Sequence, residues 1–328
     1  MEEIEHKKVR VNGLDMHVAE KGNGPTILFI HGFPELWYSW RHQILYFADN
    51  GYRAVAPDLR GYGGTTGAPN DDVGKFTIMH LIGDLVSLLD AVAPAEEKVY
   101  VVAHDWGAII GWNLCLLRPD KIKAYVALSV YYSPRNPNPA TRLPYYYRAI
   151  YGDDHYMWRF QEVGDIEGEF EKIGVKEVMK KFLTYRKPAP LFFPKGKGFG
   201  DSGEDDDDDS LSSWLSPEDL DYYADNFIRT GFTGGVNYYR ALNLDWELLA
   251  AWTGAQVKVS AKYIVGDLDL VYNNKGAKEY IHNGGLNKNV PLLEDIVVIE
   301  GAAHFINQER PDEVNKHIHH FFQDHHDI

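Results

Sequence analysis

Apolar and polar residues alternate along the start of the chain. Val9 and Val11 are separated by a polar residue, Asn12-Gly13 supplies a turn, and Leu14, Met16 and Val18 resume the alternation, which predicts a β-hairpin. Thr26-Ile27-Leu28-Phe29-Ile30 is instead a short continuous apolar run, as expected of a parallel strand buried on both faces. A helix is expected over roughly 37–50, then a short strand at 54–56 that ends at Pro57-Asp58. An amphipathic helix follows over 78–92, a strand at 99–103, a helix over 106–118 and a strand at 124–130. This alternation predicts the α/β class, with a mostly parallel sheet flanked by helices.

The pattern breaks after residue 130. Ser133-Pro134-Arg135-Asn136-Pro137-Asn138-Pro139 can continue neither strand nor helix and reads as a linker. From there to about 246 the chain offers helices and loops without strand signals. One helix start is explicit, with Ser216 as N-cap, Pro217 in the first turn and Glu218 and Asp219 beside it. A stretch of about 187–213 reads as a flexible loop. Strand-like runs return at 257–265 and 296–299, and a last helix is expected over 311–322. The predicted organisation is therefore a sheet domain made of 1–130 and 247–328, interrupted by a helical lid over 131–246. No internal repeat is present.

Composition narrows the class of partner. The chain has 328 residues and a formal net charge of −15. An acidic surface repels phosphates, so nucleic acid and anionic membranes are poor partners. Part of the excess charge is the run Glu204 to Asp209, which reads as a solvated, self-repelling loop. The single cysteine, Cys115, falls in an apolar helical stretch and reads as a buried structural thiol. No apolar run approaches the ~18 residues of a membrane span, and the acidic N-terminus does not resemble a signal peptide. The expected compartment is the cytosol; the oligomeric state is not readable.

Candidate chemistry centres on Val101-Val102-Ala103-His104-Asp105-Trp106-Gly107, where a strand runs straight into a helix. The small residues Ala103 and Gly107, two before and two after Asp105, are what the sharp turn of a nucleophile elbow requires. Aspartate takes the usual place of serine there. A carboxylate is already ionised at neutral pH and suits attack on an sp³ carbon. On these residues alone, Asp105 as nucleophile and Asp105 as a plain helix cap stay equally open. Gly266-Asp267-Leu268-Asp269 then offers a carboxylate at the end of a strand, Asp269 being preferred to Asp267. His304 follows the last strand, after Gly301-Ala302-Ala303. Nucleophile, acid and histidine in the order 105, 269, 304 match the chain order of the α/β-hydrolase fold. His31-Gly32-Phe33-Pro34 follows the first buried strand. In that fold the backbone N–H groups of Phe33 and Trp106 would form an oxyanion hole.

The sequence resembles the soluble epoxide hydrolases of plants almost from end to end. The matching segments run from His31 through Gln43, from Asp58 through Gly63, from His104 through Gly107, and over Asn237-Tyr238-Tyr239-Arg240. The resemblance implies Asp105 as nucleophile, His304 as base with Asp269 as its partner, and two lid tyrosines, Tyr156 and Tyr239, as the acid. It also implies supporting places near the hydrolytic water for Glu35, His104 and His155. Without it neither tyrosine could be chosen among the 21 of the chain. Hydrolysis of fatty-acid or aryl epoxides to vicinal diols would follow, with epoxide and water as partners and no metal or organic cofactor. Gly64 departs from the family pattern, which carries aspartate after Gly-Tyr-Gly; a loop change without loss of chemistry is expected. A haloalkane dehalogenase shares the aspartate and the tryptophan after it, and a non-catalytic small-molecule receptor could use the same fold. The tyrosine pair and Phe33 argue against the first, the full triad against the second.

Overall fold

The computed structural model describes residues 4–96, 98–199 and 211–325. The expected hairpin forms from β1 (Glu5–Val11) and β2 (Leu14–Lys21), with Val11 opposite Leu14. Asn12 and Gly13 take φ of 45° and 85°, the positive pair that a two-residue turn between right-twisted strands needs. Then come β3 (Thr26–Ile30), α1 (Arg41–Asp49), β4 (Arg53–Pro57), α2 (Ile78–Val92), β5 (Val99–His104), α3 (Trp106–Leu117) and β6 (Ile122–Leu128). Among the described residues, six α-helices lie between β6 and β7: α4 (Leu143–Tyr151), α5 (Tyr156–Arg159), α6 (Asp165–Ile173), α7 (Val175–Leu183), α8 (Pro217–Thr230) and α9 (Thr233–Leu248). The chain closes with β7 (Ala261–Gly266), α10 (Ala277–His282), α11 (Gly285–Asn289), β8 (Leu293–Ile299), α12 (Ile306–Glu309) and α13 (Pro311–Gln323).

The eight strands form one sheet in the order β1-β2-β4-β3-β5-β6-β7-β8. β1–β2 and β2–β4 are antiparallel, and every other pair is parallel. The step from β3 to β4 moves one way along the sheet and the step from β4 to β5 moves back past it. Right-handed crossovers therefore put α1 and α2 on opposite faces. The next step continues in the direction of the second, so α3 shares the face of α2. β3, β5 and β7 are buried at every position, the signature of strands covered on both sides. Ligand sites in such sheets open at the carboxyl ends of the strands, next to the point where the order reverses. Here that point lies between β3 and β5.

Three expected strands shift. The strand expected at 257–265 begins only at Ala261, because Val257 donates its N–H to Asn289 rather than to a neighbouring strand. The last strand starts earlier, at Leu293, where it pairs with Ala261. β6 starts at Ile122 and ends at Leu128, before the expected 130, and Ser129 turns the chain with φ of 68°. The short helices α10 and α11 had no signal. The cap at Ser216 is as expected: its hydroxyl accepts the Asp219 N–H, and the Asp219 carboxylate accepts the Ser216 N–H. Cys115 is buried, and burial pushes its thiol up. Residues 200–210, including the run Glu204 to Asp209, lie outside the described residues. No helix among the described residues is long and apolar enough to cross a membrane.

Candidate active site

Asp105 stands where β5 becomes α3, with φ of 52° and ψ of −122° and no capping bond from its side chain. A helix cap would use extended backbone and accept a helix N–H, so geometry separates the two alternatives the residues left open. The turn is as tight as the small neighbours suggest. A Cβ on Gly107 would lie 2.1 Å from the Ile30 carbonyl oxygen, and one on Gly32 would lie 2.4 Å from the Asp105 Cβ.

The carboxylate is held from two sides. Its Oδ1 accepts the Phe33 N–H at 2.7 Å, and its Oδ2 lies 3.3 Å from His304 Nε2. Trp106 is the first residue of α3, so its N–H has no partner within the helix. Burial alone would raise the Asp105 pKa. The hydrogen bond and charge of His304, the charge of His104 and the Phe33 N–H outweigh it and hold the carboxyl below its ordinary value.

Behind His304, Asp269 Oδ2 accepts the Nδ1 N–H at 2.7 Å, while Asp269 Oδ1 accepts the N–H groups of Val271 and Tyr272. Asp267, the competing acid, points elsewhere and accepts the Gly301 N–H at 2.7 Å. Burial of His304 works to lower its pKa. The Asp269 charge and the bonds to Asp105 and Asp269 overcome this and keep it well above ordinary histidine.

Glu35 and His104 lie beneath this group, both fully buried. Glu35 Oε2 accepts the Gly32 N–H at 2.7 Å and meets His104 Nδ1 at 2.7 Å; His104 Nε2 meets the His304 carbonyl oxygen at 2.7 Å. Both ring nitrogens thus face oxygen acceptors, so both contacts carry a proton. Burial would raise the Glu35 pKa, but the charge and hydrogen bond of His104 turn the balance and lower it. Ser129, which had no sequence signal, gives the His304 carbonyl a second donor at 2.8 Å. His31 fixes the loop from the other end. Its Nε2 accepts the Leu59 N–H, so Nδ1 carries the proton and donates to the Gly32 carbonyl.

Tyr156 and Tyr239 reach the same cavity from the helices between β6 and β7, although 83 positions separate them in the sequence. Their rings are 5.9 Å apart and nearly perpendicular, and Phe33 and Phe160 pack edge-on against Tyr239. Burial first, then neighbouring phenols and the Asp105 charge, push both hydroxyls well above ordinary tyrosine, so both are protonated. The Trp106 side chain also donates toward the Tyr239 oxygen. His155 does not line this cavity. It caps α5, lies against Tyr156 at 4.7 Å between ring centroids, and stacks between Tyr147 and Tyr151. Burial lowers its pKa to about 4, which leaves it neutral. Gly64 sits apart from the cavity. Its N–H donates to Asp58, and a Cβ there would lie 2.9 Å from the His17 Cβ.

The arrangement can present a carboxylate to a carbon, two phenols to a leaving oxygen, and a carboxylate-oriented imidazole to water. Among the described residues no three His, Cys, Asp or Glu side chains stand together as a metal site.

Comparison with known proteins agrees with this chemistry. Residues 25–161 match the family model of the alpha/beta hydrolase fold. The chain is 53% identical to epoxide hydrolase 2 of Siraitia grosvenorii over 98% of its own length and 99% of the relative's. It is 38% identical to epoxide hydrolase A of Mycobacterium tuberculosis, covering 93% of each chain. The structure of potato (Solanum tuberosum) epoxide hydrolase I superposes with a TM-score of 0.92 at 64% identity, covering 98% of this chain and 99% of that one. That of an epoxide hydrolase from Vigna radiata does so with a TM-score of 0.91 at 55% identity, with the same coverage. With relatives this similar over nearly its whole length, the chain belongs to the plant epoxide hydrolases, built on the α/β-hydrolase fold.

Proposed function

We propose that this epoxide hydrolase works through Asp105, with Tyr156 and Tyr239 as a shared acid. The observation that supports it most is the meeting of one ionised carboxylate and two protonated phenols in a single cavity. Asp105 attacks an epoxide carbon in line while the phenols donate to the departing oxygen. An alkoxide is far more basic than a phenolate, so the proton moves downhill, and a phenol of ordinary pKa ~10 still carries it at neutral pH. The ester carbonyl is then held by the N–H groups of Phe33 and Trp106. His304, oriented by Asp269, takes a proton from water, which attacks the Asp105 carbonyl carbon and frees the diol.

Loss of the Asp105 charge on ester formation also removes one of the contacts that raise the His304 pKa. The imidazole, protonated at rest, can then give its proton to the phenolate left by the first step and stand neutral to take one from water. Glu35 Oε1, buried without a protein partner, is an acceptor available to that water, with His104 behind it. His155 supports Tyr156 from outside the cavity. Residues 131–246 serve as a lid on the core of 1–130 and 247–328.

The substrates we infer are fatty-acid and aryl epoxides, with water as the second partner, and the compartment is the cytosol. A screen of epoxides against haloalkanes, with diol and halide both measured, tests the reaction class. Styrene-type and fatty-acyl epoxides should give diols; halide release from chloroalkanes at a comparable rate would support a dehalogenase instead, and no steady turnover a receptor.

A further inference from the structure

The cavity directly over Asp105 is small, about 30 Å³. A much larger one, about 760 Å³, lies on the other side of Trp106. Trp106, Ile109, Asn113 and Leu116 face it from α3, at the three- and four-residue spacing of one helical stripe. That stripe extends it about 15 Å from the residue next to Asp105. Leu242, Trp246 and Leu249 form the opposite wall. Both cavities share their partition. Trp106 packs on Tyr239, and Tyr147, which lines the larger cavity, stacks on His155, itself against Tyr156.

The charge on this cavity runs against that of the molecule. The chain carries −15 overall and would repel an anionic ligand. Its buried arginines are mostly neutralised, as Arg60 is by Asp84 and Arg240 by Glu167. Arg135 and Arg142 line the cavity and pair with no carboxylate among the described residues. Arg135 is committed to the fold, donating to the Trp246 carbonyl and to Thr253. Arg142 uses only its Nε, on the Pro139 carbonyl, and stacks beside Trp246 and Tyr145, which leaves both terminal nitrogens to donate. Trp246 follows Tyr239 by two helical turns, about 10 Å along α9. Asp245 is the one acid on the wall. It accepts the Ile78 N–H, and burial pushes it up to about 7, so it does not cancel two arginines at neutral pH.

We propose that this second cavity holds a carboxylate-ended alkyl arm of the epoxide substrate, and that Arg142 grips the carboxylate with Arg135 adding charge. The arm passes between Trp106 and Tyr147, and Ile109 and Leu116 of α3 with Leu242 and Trp246 of α9 cover it. Two parallel N–H donors fit a carboxylate and discriminate it from an ester. This rests on the epoxide-hydrolase mechanism above and adds to it which end of a long substrate lies where.

The test compares a long-chain fatty acid bearing a mid-chain epoxide with its methyl ester. In the wild-type protein at low salt, kcat/KM for the acid should exceed that for the ester by about tenfold or more, as for a charged hydrogen-bonded pair. Arg142→Gln should bring the ratio to within about twofold, and Arg142→Glu should invert it. Each variant's ester value serves as its own reference, so a general loss of activity does not enter. A wild-type ratio near one, or an unchanged ratio in both variants, overturns the proposal. The unmodified protein gives a second readout. A saturated fatty acid should inhibit styrene oxide turnover less as salt rises, whereas its methyl ester should not change; salt-independent inhibition by both also overturns it. If styrene oxide itself is not turned over, the mechanism built on Asp105 fails; turnover with an acid-to-ester ratio near one sinks the Arg142 grip alone.

Discussion

At the scale of single residues, the site works by pushing apart the proton affinities of groups that touch. Asp105 is held ionised by the same His304 contact that keeps the imidazole protonated, while burial holds Tyr156 and Tyr239 neutral. An ionised carboxylate and two neutral phenols, the nucleophile and acid of the proposed mechanism, thus coexist in one cavity at one pH. If both phenols donate to one oxygen, as proposed, either can partly cover for the other. Tyr156→Phe and Tyr239→Phe should each slow ester formation, and the double variant should lose about 10²-fold or more, with non-additive effects. The rings remain, so folding should survive. Stopped-flow alkylation at the wild-type rate in the double variant would remove the tyrosines from the mechanism.

At the scale of elements, positioning comes from close backbone approach. α3 can begin directly against the β3 loop only because Gly107 has no side chain. Gly107→Ala would drive a methyl into two backbone carbonyls, those of Ile30 and His31. Overpacking of this kind costs about 1–3 kcal/mol, and here its relief moves Asp105 away from the Phe33 N–H. Both Tm and the alkylation rate should fall; a variant that keeps both would show the elbow to be looser than described. The elbow is legible in the sequence because its constraint is local: Ala103 and Gly107 flank Asp105 within one turn. The buried strands are legible for a similar reason, as runs such as Ile27 to Ile30 have no polar face. What stays unreadable is set by contacts between distant segments. Ser129, Glu35 and His104 meet around His304 only once β5, β6 and the loop before α12 are assembled. The register of Tyr156 against Tyr239 depends on how α5 and α9 pack, and one chain's periodicity carries no trace of that. Val257 to Ser260 look like strand because they are apolar and β-branched in part, yet Val257 is drawn to the Asn289 carbonyl and only Ser260 meets β6, through the Tyr125 N–H.

At the scale of the whole molecule, the proposed mechanism has the sheet supply a rigid floor and the helices between β6 and β7 supply the acid, so the two halves of the chemistry would come from different parts of the fold. Asp105, Asp269 and His304 follow three different strands of one sheet, β5, β7 and β8, while the tyrosines arrive from above. This division makes a specific claim about atoms. If Asp105 is the nucleophile, water never touches the epoxide carbon; it attacks the ester carbonyl and leaves its oxygen in the protein. The most direct measurement is a single turnover in heavy-oxygen water with the protein in excess, followed by mass spectrometry of the diol and of the peptide containing Asp105. The first diol should be unlabelled and the Asp105 peptide labelled, with label passing into diol only on later turnovers. In His304→Gln, the unhydrolysed ester should remain on that peptide. Label in the first diol, an unlabelled peptide and no adduct in the variant would contradict a covalent intermediate on Asp105.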